Sequence, residues 1–476
     1  MLIAREKEIE ELNRLYDSDS AQLVAVYGRR RVGKTFLVSE VFKNRITFRH
    51  AGLFPAESVS GNGLSQQLRH FYNSLRLHGM KGMECPKSWL DAFFELEMFL
   101  QEKDDGSRQV VFIDELPWLD TKRSGFITAF EGFWNTWGCH RHNLMVIVCG
   151  SATSWVMDKL INNHGGLYNR VTYEIRLSPF TLSECEKMFD AINVKLSRFD
   201  IVRSYMIVGG VPYYLKYFER GFSLSQNVDR LFFMRDAKLA YEFDRLFDSA
   251  FANPDLMKRI VRTLSTRGSG YTRKELTQKA DIAKSGGTLT DALNALIVSD
   301  FIVKYTPFGN GKREARYRLT DPFCIFYLRF IEGKTSVNTH FWQEEQDSPA
   351  VVSWCGFAFE NVCFQHIDQI KSALGITGIS TRQSAYIKRG EDGMQIDLLI
   401  DRKDNVINLC DIKFTGKEYL VTKDYYRTLL GRRENLAEEI SKNKIIHNTL
   451  ITTYGLVYNE YSGIFDNTVT FDHLFG

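Results

Sequence analysis

The apolar positions of this chain fall into patterns that change along its length. "AQLVAVY" before Gly28, "QVVFIDELPWL" (109–119) and "LMVIVCG" (144–150) are continuous apolar runs, the pattern of strands buried on both faces. "KTFLVSEVFKN" (34–44) instead places Phe36, Leu37, Val41 and Phe42 on one helical stripe. A strand, a glycine-bounded loop and a helix in that order predict an α/β unit with a parallel sheet.

Further on the periods shift. "DLMKRIVRTLSTRG" (255–268), "TRKELTQKADI" (272–282) and "SGGTLTDALNALIVSDF" (285–301) read as three helices, the third with Leu289, Leu293, Leu296 and Ile297 on one face. "FIVKYTPFGNGKREARYRLTD" (301–321) alternates as a hairpin turning at Gly309-Asn310-Gly311, so this segment predicts a winged helix-turn-helix. "VSWCGFAFENVCFQHI" (352–367) is an aromatic-rich helix, and residues 394–420 give two strands joined by a polar turn at Lys403 to Asn405.

A length of 476 residues suggests about three domains. The N-terminus passes from "MLIA" into "REKEIEEL", and no apolar run approaches the roughly 18 residues of a membrane helix. The expectation is a cytoplasmic protein without a membrane partner. Eight cysteines without a Cys-x-x-Cys pair read as reduced thiols; Cys139, His140 and His142 crowd together but lack a distant ligand pair for zinc. Net charge is only +3, yet residues 255–329 hold fourteen Lys and Arg against seven Asp and Glu, a basic stretch that invites DNA phosphate. Lys312, Arg313, Arg316 and Arg318 fall on or beside the expected wing, and Arg273, Lys274, Lys279 and Lys284 on or before the helices.

The chemistry concentrates in "YGRRRVGKTF". Gly28, four residues, then Gly33, Lys34 and Thr35 fit a phosphate-binding loop between strand and helix, where backbone amides face an anion. Its span, Gly28, Arg29, Arg30, Arg31, Val32, Gly33, Lys34, Thr35 and Phe36, is the expected nucleotide contact. Lys34 is assigned to the β- and γ-phosphates, and Thr35 with Asp114 to magnesium. Glu115 would orient and polarise the attacking water. Ser151, at the end of the 144–150 run, reads equally as a γ-phosphate sensor or a helix N-cap; Arg170 as an arginine finger or a surface ion pair. The three arginines occupy the variable part of the loop, where they can face an acidic partner, nucleic acid or the core.

The order "REKEIEEL", "YGRRRVGKT", "VVFIDEL", "VIVCGSA", "RVTYEIRLSPF" and "GGVPYYL" resembles the archaeal-type ATPase family of the AAA+ and STAND group. The resemblance covers residues 1 to about 250 and implies ATP as the nucleotide and a helical lid over the site.

In the C-terminal stretch Glu360 lies on a helix, Asp397 on one strand, and Asp411 and Lys413 on the next, with alternation placing the last two on one side. Two acids and a lysine at a sheet edge can bind magnesium, through Asp397 and Asp411, and activate water. Equally, Asp411 and Lys413 can form an edge-strand salt bridge. The pattern resembles the PD-(D/E)XK nuclease fold, and the domain of unknown function fused behind archaeal-type ATPases, itself nuclease-like. That resemblance implies catalytic roles for Glu360, Asp397, Asp411 and Lys413. Lys417, Lys423, Tyr425, Tyr426 and Arg427 read as a nucleic-acid track or as core.

The expected architecture is therefore α/β: a P-loop NTPase parallel sheet (1–175) with a helical lid (176–250), then a winged helix-turn-helix (251–330), then a restriction-endonuclease-like α/β domain (331–476). The expected function is an ATP- and magnesium-dependent hydrolytic switch coupled to DNA binding or processing. The alternative is a regulatory or scaffolding ATPase whose inactive C-terminal domain binds a protein or DNA partner; a homo-oligomer fits either.

Overall fold

The apolar runs of the N-terminal third become a five-stranded parallel sheet. The computed structural model describes residues 2–476 except 55–62, 162–165, 168, 252, 283–285, 335–337 and 389–393. Contacts divide the chain into two units, Met1–Ser178 and Pro179–Gly476.

In the first unit β1 (Gln22–Tyr27), β2 (Ile46–Ala51), β3 (Gln109–Asp114), β4 (Leu144–Gly150) and β5 (Tyr173–Arg176) lie in the order β2-β3-β4-β1-β5. All four pairings are parallel, and β1, β3 and β4 are buried at every residue, which is why their sequences are apolar without alternation. One face carries Leu12, Leu15, Leu37, Val38 and Phe42 from two helices; the other is packed by aromatic side chains including Phe71, Trp89, Phe93, Phe126 and Phe130. Because β4 lies between β1 and β3, the ends of all three strands sit side by side.

The second unit begins with helices Leu182–Ala191, Arg198–Val208, Leu224–Phe232 and Glu242–Ala250. These are the residues expected as a lid, and they share their core with the downstream chain. Phe232 packs on Phe323 and Phe326, and the Leu182 amide donates to His366 Nε2 at 3.0 Å. Three further helices, Pro254–Ser265, Arg273–Lys279 and Gly286–Val298, accompany a small antiparallel sheet of β6 (Tyr271–Thr272, between the first two helices), β7 (Ile302–Tyr305) and β8 (Arg316–Leu319), in the order β6-β8-β7.

After the helix Pro349–Gln365 comes a mixed sheet of β9 (Thr381–Lys388), β10 (Met394–Arg402), β11 (Val406–Lys413), β12 (Ile445–Thr452) and β13 (Asn467–Thr470), ordered β13-β12-β11-β10-β9. The first three strands pair antiparallel. The helix Lys423–Glu439 connects β11 to β12, which pair parallel. Phe414, just past Lys413, stacks on Phe199 at 5.2 Å and meets Phe359 at the same distance, tying this sheet to the helices that open the unit. The β7–β8 connection also docks on the sheet: the Phe308 amide donates to Ala385 O at 2.8 Å on edge strand β9.

Candidate functional site

The loop after β1 has the geometry its glycines dictate. Gly33 caps the helix Lys34–Val41 at φ 93°, in the left-handed region that L side chains avoid. Gly28 lies where an added Cβ would stand 2.2 Å from the Leu177 carbonyl oxygen. Lys34 is buried, its Nζ donating at 2.9 Å to both Gly28 O and Arg29 O. Loss of solvent lowers its pKa, opposed chiefly by the charges of Cys149, Glu115 and Asp114.

Thr35 opens the helix beside the end of β3, and its hydroxyl donates to Asp114 Oδ2 at 2.8 Å. Glu115 takes a left-handed conformation, φ 45° and ψ 46°. Its carboxylate accepts from Ser151 at the end of β4, from the hydroxyl at 2.8 Å and from the amide at 3.2 Å. Ser151 is therefore a partner of Glu115. Ala152 occupies the N-cap of the following helix, Thr153–Val156. Lys34, Thr35, Asp114, Glu115 and Ser151 thus come together from three adjacent strand ends. Cys149 lies next to them, fully buried, with its thiol pKa pushed well up by burial.

The three arginines turn toward the protein. Arg29 is 2% exposed, Arg30 sets its guanidinium 5.5 Å from the Trp118 ring centre, and Arg31 is half-buried at φ 73°. Val32 is buried and Phe36 is 48% exposed, so the apolar stripe predicted for this helix is carried inward by Leu37 and Phe42. Arg170 is exposed in a turn.

Residues 2–218 match the family model described as an ATPase domain found predominantly in Archaea. The chain carries an archaeal-type ATPase domain. Over 440 residues it is 25% identical to an uncharacterized protein of Methanocaldococcus jannaschii, covering 90% of this chain and 91% of that one. It is 42% identical over 45 residues to an uncharacterized ATP-binding protein of the same organism, covering 10% of this chain and 76% of that one. Among solved structures it is similar to a Walker-type ATPase of Pyrococcus abyssi, at 18% identity and a TM-score of 0.47, covering 69% of this chain and 96% of that one.

Beyond the ATPase domain, the basic stretch differs from its sequence expectation. Arg316 is 2% exposed, donates to Gly270 O at 3.0 Å and lies 3.7 Å from Glu275. Arg318 is 7% exposed and pairs with Glu360 at 3.3 Å. Lys258 pairs with Asp244 and Asp248, Arg262 with Glu332, and Arg267 with Glu275. Much of the local positive charge is thus neutralised by carboxylates, several from outside the stretch. Lys274, Lys279 and Arg313 remain exposed, as do Thr288, Asp291 and Asn294 on the third helix; Arg273 donates to Thr290 at 2.9 Å. Lys284 lies outside the described residues.

The C-terminal acids each have a partner of their own. Asp411 is 5% exposed; the Tyr425 hydroxyl lies 2.7 and 2.8 Å from its two oxygens, Arg432 donates at 3.2 Å, and Lys413 stands at 3.5 Å. Asp397, half-buried, accepts from Gln395 at 2.8 Å. Glu360 pairs with Arg318, and its pKa is raised to about 7 by burial first and the charge of Asp397 second, against the pull of Arg318 and Lys413. The expected salt bridge between Asp411 and Lys413 is present as part of a larger set, but on the middle strand of the five and not on an edge strand. Among the described residues no group of three or more His, Cys, Asp or Glu is placed to hold a metal ion, and this includes the Cys139, His140 and His142 cluster. Sequence reading missed Arg432, although it lies seven residues after Tyr425 on one face of the helix Lys423–Glu439. Tyr426 packs on Tyr461, while Lys423 and Arg427 are exposed and Lys417 lies in the loop after β11.

Proposed function

We propose that the chain is an ATP-binding and hydrolysing switch of the AAA+ and STAND type. The observation that carries this reading is the 2.8 Å hydrogen bond from Thr35 to Asp114, which sets a hydroxyl and a carboxylate oxygen side by side next to the buried Lys34. Oxygen donors of this kind suit magnesium, a hard cation that keeps several waters and shares phosphate oxygens. In this reading the loop from Gly28 to Phe36 holds the nucleotide, Lys34 meets the terminal phosphates, Thr35 and Asp114 hold magnesium, and Glu115 positions water. Magnesium would supply charge neutralisation on the phosphates. Ser151 holds Glu115 in place, and exposed Arg170 is available to a neighbouring copy. The test is magnesium-dependent phosphate release by the purified chain. Lys34→Ala should abolish nucleotide binding and Glu115→Gln should keep binding while stopping turnover; equal turnover in all three proteins would end the reading.

For the remaining chain we propose a winged helix over 251–330 and a nuclease-like fold over 331–476, supported by the helix, three antiparallel strands, helix and parallel strand in succession. A specific observation favours the binding reading over cleavage: Asp411 is already held by Tyr425, Arg432 and Lys413. The domain then answers the nucleotide state by holding a DNA or protein partner. Manganese-dependent nicking of supercoiled DNA that disappears in Asp411→Ala would restore the nuclease reading.

A further inference from the structure

The second unit contains a cavity of about 460 Å³, walled by β7, β8, β9 and the C-terminal end of the helix Pro349–Gln365. Its size falls in the range of roughly 300–1,000 Å³ typical of small-molecule sites. Three cations line it, Lys304, Arg318 and Arg382, and no carboxylate does. Among the described residues the acid paired to the set is Glu360, which holds Arg318.

Two features point to an occupant. Ser384 is 5% exposed, and its hydroxyl finds no hydrogen-bond partner among the described residues. A buried hydroxyl left unpaired is costly unless something arrives to meet it. Arg382 precedes Ser384 by two positions on β9, so both side chains lie on one face of the strand. Arg382 is exposed and forms no ion pair among the described residues, whereas the Lys304 ammonium lies 5.9 Å from the Tyr317 ring centre. Arg318, by contrast, is fixed: Glu360 holds it from one side, and its guanidinium lies 4.9 Å from the Phe364 ring centre.

Apolar groups make up much of the remaining lining: Phe364, Ile367, Val303 and the ring of Tyr305, whose hydroxyl donates to Ser269 O at 2.7 Å. A bare anion would leave these apolar groups wet. A purely apolar ligand would leave the Arg382 guanidinium and the Ser384 hydroxyl unanswered. We propose that this cavity is a second nucleotide site, separate from the phosphate loop, taking a nucleoside monophosphate with its phosphate toward Arg382 and Ser384 and its base toward the apolar lining. The same chemistry is offered by a free mononucleotide and by the 5′-phosphorylated end of a nucleic-acid strand.

The test uses the full chain carrying Lys34→Ala, which removes the phosphate-loop site from the measurement, with circular dichroism to verify folding. Wild-type protein saturated with a non-hydrolysable ATP analogue serves as a second background. Calorimetric titration with the four ribonucleoside 5′-monophosphates, inorganic phosphate and a short 5′-phosphorylated oligonucleotide should give saturable binding of at least one nucleotide. Arg382→Glu, at an exposed position, should weaken it about tenfold or more, as loss of a charge-assisted phosphate contact does. Tighter binding of the oligonucleotide assigns the strand end, and tighter binding of the mononucleotide assigns the free ligand; both support the site. Absence of saturable binding on both backgrounds, affinity indifferent to Arg382→Glu, or phosphate binding as tightly as any nucleotide would overturn the proposal.

Discussion

Ser151 donates its hydroxyl to Glu115 Oε2 at 2.8 Å, joining the tips of two neighbouring parallel strands into one unit. Glu115 carries a left-handed backbone, a conformation uncommon outside glycine, and its side chain is held by a residue 36 positions away. Ser151→Ala removes the shorter of the two donors and leaves the amide. Turnover should fall about tenfold, equivalent to roughly 1.4 kcal/mol, with nucleotide affinity unchanged. Glu115→Gln should lower turnover by about a hundredfold or more. Single-turnover hydrolysis beside fluorescent-nucleotide binding separates the two effects.

The loop glycines should differ in what they tolerate. Alanine at Gly28 places a methyl 2.2 Å from a backbone oxygen, and a backbone atom cannot swing aside. A loss of about 3 kcal/mol is expected. Alanine at Gly33 meets no atom within 4 Å, so its cost is only the left-handed conformation, about 1–2 kcal/mol. Urea unfolding midpoints of the two variants would rank them.

Glu360 should make stability depend on pH. Its folded pKa of about 7 lies above the ordinary 4.5, so the folded state binds the proton more tightly than the unfolded chain does. Stability contributed by this group is therefore present below pH 4.5 and is lost as pH rises toward 7. At about 1.4 kcal/mol per unit, the loss amounts to roughly 3 kcal/mol. Glu360→Gln, which keeps an oxygen for Arg318, should gain stability relative to wild type as pH rises from 5 to 8. A difference in melting temperature that stays flat across this range would contradict it.

Arg316 and Arg313 sit three residues apart with opposite expectations. Arg316→Ala strips a buried carbonyl, Gly270 O, of its donor and should cost about 2 kcal/mol. Arg313, exposed, should be replaceable at under about 0.5 kcal/mol. Thermal melts of both variants decide this, and neither outcome requires nucleic acid.

Tyr425→Phe removes the hydroxyl from Asp411, leaving a buried carboxylate with Arg432 and Lys413. A loss of about 1–3 kcal/mol is expected. If Asp411 is structural, this variant gains no metal-dependent cleavage, which a plasmid-nicking assay reads directly.

The sequence by itself determined what depends on short spacing and composition. Apolar runs without alternation required buried parallel strands, since each such strand is covered on both faces. Gly28, Gly33, Lys34 and Thr35 announced the loop because its backbone admits few other residues at the tight turns. Asp411 and Lys413 shared a side because strand alternation has a period of two.

Only the tertiary structure decided which charges meet. Arg316 and Arg318 read as a basic wing, yet both are buried and face carboxylates brought from other segments, Glu275 and Glu360. Ser151 became the partner of Glu115 because β4 inserts beside β3, an order that no local pattern encodes. Arg432 and Tyr425 reach Asp411 because the helix Lys423–Glu439 crosses over its strand. The physical reason is common to all three: a charge or hydroxyl is specified locally by residue type, but its energy depends on distance and burial, which are set by chain segments far away in sequence.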